Sequence, residues 1–158
     1  MPDEYLAAGN VELVGYEAWY DSYNVEGMQF TFNNGVEEKT TQVFGLTKDR
    51  RGTPVESVQV TLKEQVRSVS HLMVNTKLTL DQEKTSGWYI VNLAVNESDR
   101  VGFEDSKYPP EKAIRNPISS DIDPNQRIVG VYGYIRASYK TLRSIGFIVA
   151  SGPEMENY

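Results

Sequence analysis

Arg127, Arg136, Lys140 and Arg143 fall within one stretch, RIVGVYGYIRASYKTLRSIGFIV, which also holds Tyr132, Tyr134 and Tyr139 and contains no acid, in a chain of net charge −6. These residue types bind rather than react. An arginine presents a planar fork of donors suited to carboxylate, sulfate or phosphate. A tyrosine ring stacks on a sugar or anchors a protein interface. The first 46 residues reverse the sign, with Asp3, Glu4, Glu12, Glu17, Asp21, Glu26, Glu37 and Glu38 against Lys39 alone. Opposed patches of this kind steer charged partners or favour head-to-tail association. The basic stretch therefore suits acidic glycans or an acidic protein partner, and a homo-oligomer is left open. The acidic balance of the whole chain argues against nucleic acid.

No motif marks a catalytic centre, and although a glycosidase-like carboxylate pair is left open, nothing places two acids at a suitable separation. Cysteine is absent, which removes disulfide scaffolds, cysteine-bound zinc, iron–sulfur clusters and thiol nucleophiles. His71 is the only histidine, and one imidazole without a thiol supports neither most triads nor a His-rich metal site. No nucleophile elbow, Walker loop or dinucleotide fingerprint accompanies it. SSDIDPN sets Asp121, Asp123 and Asn125 at calcium-loop spacing. Gln126 stands where that loop needs glycine and Tyr132 where it needs glutamate, so the segment reads as a polar turn. The expectation is a protein that is not an enzyme and uses no metal or cofactor.

The elements that must position these residues are strands. Period-two alternation recurs, whereas helical spacing hardly extends beyond a turn or two. MQFTF sets Met28, Phe30 and Phe32 on one face, VNLAV does so with Val91, Leu93 and Val95, and IGFIV with Ile145, Phe147 and Val149. An apolar residue stands three positions ahead of each trio: Val25, Trp88 and Leu142. Leu13-Val14-Gly15 precedes the first trio as Ile128-Val129-Gly130 precedes the third. The spacing from that glycine to Phe30 or Phe147 differs by two residues, a difference in hairpin-loop length. The middle copy is the least regular, with VRSVSHLMV and GWYIVNLAV as its strands. TKDRRGTP and SKYPPEKAIRNPISSDIDPNQ read as punctuated connections. Three units, roughly 11–46, 57–104 and 126–150, share one core in a single domain spanning 1–158. The tyrosines and tryptophans within strands are expected to be half-buried.

VEGMQFTFNNG resembles the start of a jacalin-related lectin domain, where V-D-G-I-Q-F-T-Y runs into a polar turn. RIVGVYGYIRASYKTLRSIGFIV resembles that family's closing repeat, with its I-V-G-F-x-G opening and L-D-A-I-G-F strand. The resemblance implies an all-β protein of β-prism I type: three four-stranded antiparallel sheets with pseudo-threefold internal repeats. It also implies a metal-independent sugar site at the third-repeat loop, formed here by Tyr134, Ser138, Tyr139, Lys140 and Arg143. The chain departs from the family at that site. The family's sugar loop ends in G-x-x-x-D, and those two positions fall on Tyr139 and Arg143. Arginine donates only and cannot copy an accepting carboxylate. In the first repeat the positions hold Ser22 and Glu26, so only the acid survives there and Glu26 is a further candidate ligand-binding residue. In the second they hold Thr85 and Tyr89. The N-terminal loop, glycine-rich in sugar-binding members, offers only Gly9.

Two functions follow as expectations. The first is non-catalytic carbohydrate binding, with a glycan or glycoprotein partner and the basic residues selecting acidic glycans. The second is a protein-interaction or scaffold module whose sugar site has degenerated. Membrane insertion is not expected, because no window approaches the roughly 18–20 apolar residues of a span. Zero cysteine and an N-terminus without a signal-peptide pattern favour the cytoplasm, with a secreted mature chain left open. Asn96-Glu97-Ser98 forms a glycosylation sequon that matters only in the secreted case.

Overall fold

A computed structural model describes residues 11–21, 24–48, 52–76, 88–97, 99–102, 113–135, 140 and 142–150. Its two most similar units are hairpins. β1 (Glu12–Tyr20) pairs antiparallel with β2 (Val25–Asn33), and β10 (Arg127–Ile135) with β11 (Leu142–Ala150). Tyr16 stands opposite Phe30 as Val131 stands opposite Phe147. The register slips at the same two places in each. Val14 and Val129 are the extra residues of the first slip, Glu26 and Arg143 those of the second. Four residues join β1 to β2 and six join β10 to β11, which accounts for the two-residue difference in spacing.

The remaining strands fill out the sheets. β3 (Glu38–Thr40) and the two-residue β4 (Phe44–Gly45) both pair with β2, and β5 (Glu56–Thr61) pairs with β1, giving the order β3-β2-β1-β5. Residues 57–61, grouped by sequence with the second unit, thus belong to the first sheet. The second sheet runs β8 (Asp99–Gly102), β7 (Trp88–Val95), β6 (Ser68–Thr76), β9 (Ala113–Asp121). Among the described residues the third sheet contains only β10 and β11. The expectation of three four-stranded sheets is therefore met in part: the second sheet has four strands, and the first has five because β3 and β4 share one edge of β2. β9 also corrects the reading of its segment as a connection. Pro117 lies within it opposite Leu72, and an edge strand tolerates a residue that lacks an N–H.

The sheets close on one apolar cluster. Val25, Met28, Phe30, Phe32 and Leu142 are all fully buried. Phe30 is the hub: its ring lies 6.2 Å from Tyr16, 6.2 Å from Phe44 and 5.8 Å, edge-on, from Phe147 of the third unit. Each such pair adds about 0.5–1.5 kcal/mol beyond its burial. The middle trio is arranged differently from the expected face. A register slip between Leu72 and Met73 makes Val91 the extra residue. Ile90, Leu93 and Val95 then join the central cluster, while Val91 packs with Val74 and Leu72 in a second one. In the third trio Ile145 is buried and Phe147 packs against the core, but Val149 is 38% exposed. Among the described residues no helix is long and apolar enough to cross a membrane.

Two turns show why polar residues stand where they do. After β2, Asn34 Oδ1 accepts the backbone N–H groups of Val36 and Glu37, and Gly35 takes a φ of 91°. After β7, Asn96 and Glu97 have φ of 55° and 61°, the left-handed pair of a tight hairpin turn. Asn96 Oδ1 accepts from the N–H of Arg67 at 2.6 Å and of Ser68 at 3.3 Å, while its Nδ2 donates to the Gln65 carbonyl at 3.1 Å. The sequon asparagine is thus a tie between two turns. Its Nδ2 is also the atom a glycan would need.

Candidate functional site

The tip of the β10–β11 hairpin carries the candidate residues. Tyr134 points outward near the end of β10 and is 64% exposed. Arg143 is the extra residue of the slip opposite the Tyr134–Ile135 step. A bulge re-aims the side chain it inserts, and here Arg143, Tyr134, Ser144 and Met73 of β6 line one open cavity of about 430 Å³. No carboxylate is among the described residues of that lining. Lys140 stands in the connecting loop, exposed, with a φ of 65°. The structure therefore brings Tyr134 and Arg143 together and places Lys140 in the loop between their strands. Ser138 and Tyr139 lie outside the described residues.

Glu26 is placed differently. It occupies the corresponding slip of the first hairpin, opposite the Trp19–Tyr20 step, yet it is only 5% exposed. β4 runs beside it, and Leu46 N–H donates to the Glu26 carbonyl at 3.2 Å. Glu26 does not line the cavity at the third tip.

Sequence reasoning missed two lining residues, Met73 and Ser144. Met73 reaches the site by packing of the second sheet against the third hairpin, which no local spacing reveals. Ser144 follows Arg143 directly and pairs with Tyr134, so the hairpin register would have found it.

A groove of about 450 Å³ lies elsewhere, on the outer face of the first sheet above Gly15. Glu17, Glu38, Gln29 and Thr31 help to wall it, so its sign is opposite to that of the tip. Its polar groups are in part engaged with one another. The Thr31 and Thr40 hydroxyls lie 3.2 Å apart, and the Gln29 amide donates to the Thr41 carbonyl at 2.8 Å. Tyr16, the one aromatic among its described lining residues, is buried. The tip presents an exposed aromatic ring and a guanidinium, neither of which is among the described lining residues of this groove.

The first tyrosine cluster is divided. Tyr16 is a core residue, Trp19 and Tyr20 are half-buried as expected, and Tyr23 lies outside the described residues. His71 sits on β6 on the side that carries Val69 and Met73 into the core. Desolvation by burial lowers its pKa below 6.5. At Asp121–Asn125, the Gln126 N–H donates to the Asp123 carbonyl at 2.9 Å and Asp123 N–H to Gln126 Oε1 at 3.0 Å, a self-satisfied turn.

No family model matches the sequence, and no curated protein matches it. Solved structures share the fold. The artocarpin–mannotriose complex superposes with a TM-score of 0.60 at 14% identity, covering 90% of this chain and 85% of that one. Frutalin from Artocarpus incisa, in complex with galactose, gives 0.59 at 14% identity over 90% and 94%. A mannose-specific jacalin-related lectin from Morus nigra, in complex with mannose, gives 0.58 at 18% over 90% and 87%. The chain has the all-β fold of the jacalin-related lectins, and at these identities the likeness is one of fold.

Proposed function

We propose that this protein is a non-catalytic carbohydrate-binding module whose site is the tip of the third hairpin, and that it prefers acidic glycans. The observation that carries the reading is the open cavity where an exposed tyrosine and an arginine converge, with no carboxylate among the described residues that line it. Tyr134 would stack on a sugar ring. Arg143 and Lys140 would donate to a sulfate or carboxylate, Tyr139 and Ser138 completing the loop. The solved structures of the same fold with mannose, galactose and mannotriose support sugar binding as the general role. Arginine at the position of the family's aspartate supports the change in ligand charge.

A glycan array containing sulfated, sialylated and neutral members tests the proposal. Binding to acidic glycans that falls about tenfold or more in Arg143→Glu is expected, since a charge-assisted bond becomes a repulsion. Absence of binding to every member at low salt would refute it and leave the interaction-module reading.

A further inference from the structure

We infer that the outer face of the third sheet, running from Tyr134 to Tyr132 and Ile148, is an extended saccharide track that continues the tip site, so the ligand is a linear acidic oligosaccharide rather than a single sugar. This rests on the proposed tip reading. Side chains of β10 and β11 alternate between faces, and the outward set is Gly130, Tyr132 and Tyr134 with Ser144, Gly146 and Ile148 opposite them. Tyr132, Tyr134 and Ile148 are 52%, 64% and 50% exposed, against the half-buried expectation for strand aromatics.

The glycines shape this face. A Cβ on Gly146 would overlap the far edge of the Tyr132 ring, so the ring leans across onto bare backbone and keeps one side toward solvent. A ring held in that way offers its face rather than its edge. Gly130 likewise leaves room for Ile148, whose Cδ1 would lie 3.2 Å from a Cβ there. Tyr132 and Tyr134 are two residues apart, about 6.6 Å along the strand, so successive rings of one chain could rest on both. The track begins at Arg143 and Lys140, which sets the charge of the ligand's first unit, and neither β10 nor β11 carries an acid.

Size-defined heparin di-, tetra- and hexasaccharides, titrated by calorimetry at physiological salt, test the idea. Affinity should rise from the disaccharide to the tetrasaccharide. Tyr132→Ala should weaken the tetrasaccharide about fivefold to tenfold while leaving the disaccharide unchanged. Tyr132→Phe should retain the ring and the affinity. Tyr132 carries no charge, so a purely electrostatic contact would not respond to either substitution. Thermal melts of both variants check folding. If Tyr132→Ala leaves all lengths unchanged while Arg143→Glu weakens them all, the track is refuted and the tip stands. A length-dependent, Tyr132-sensitive affinity indifferent to Arg143→Glu would refute the tip and keep the track. No binding at any length refutes the track, and with no binding to any member of the glycan array it refutes the tip as well.

Discussion

Gly45 and Gly52 form a controlled pair. Their φ values are 89° and 85°, so an alanine at either place stands at a positive φ that favours glycine. Their surroundings differ. A Cβ at Gly52 would find no heavy atom within 4 Å, whereas one at Gly45 would overlap the Glu26 carbonyl and lie 2.8 Å from the Leu142 nitrogen. Gly52→Ala should therefore cost only the left-handed conformation, about 1–2 kcal/mol. Gly45→Ala adds overpacking against backbone on two sides, a further 1–3 kcal/mol or so. The expected total is about 2–5 kcal/mol, on the order of 10 °C in Tm for a chain of this size. Urea unfolding of the two variants and the parent, at a common m-value, measures the difference. If the two alanines cost the same within about 0.5 kcal/mol, the close approach of β4 to both hairpins is not a packing constraint and the reasoning fails.

Asn96→Ala removes three hydrogen bonds and a residue suited to positive φ, and should cost about 2–4 kcal/mol in chemical denaturation. Asn96→Asp keeps the acceptor and should recover part of that; equal losses would contradict the assigned orientation of the amide. His71 predicts a pH dependence. Its folded pKa lies below 6.5, so the unfolded chain takes up the proton first. This contribution is present in full above pH 6.5 and is lost as pH falls from 6.5 through the lowered folded value, at up to about 1.4 kcal/mol per pH unit. Urea melts at pH 7.5, 6.5 and 5.5 should show a shallower decline for His71→Gln, and an unchanged slope would refute the assignment.

The hairpins were legible because their signals are local. Apolar residues at every second position, a glycine after two aliphatics, and a loop longer by two residues are all facts of sequence, and the registers of β1–β2 and β10–β11 follow from them. What was not legible depends on partners distant in sequence. β9 looks like a loop because of Pro117 and the prolines that flank it in sequence, and becomes a strand because Ser68–Thr76 offers an edge. Val91 looks like its neighbours Leu93 and Val95, and is turned away by a slip whose other half is Leu72–Met73. Tyr132 looks like any strand aromatic, and is exposed because the residue opposite it is a glycine.

The candidate site shows the same division more sharply. Glu26 and Arg143 occupy equivalent bulges of equivalent hairpins, so backbone geometry alone gives them equal claims to a ligand. Their surroundings separate them. Beside Glu26, β4 pairs with β2 through Gly27 and Gly45, and the following Leu46 takes the Glu26 carbonyl; the corner is closed and the residue is buried. Beside Arg143, β4 approaches the start of β11 at Leu142, and the next residue opens onto a cavity shared with Tyr134. Glycine at position 45 is what lets β4 approach both hairpins at once. The same short strand that buries the acid thus braces the root of the bulge that presents the arginine. Which bulge is closed and which opens onto a cavity is tied to a two-residue strand that neither hairpin's sequence announces.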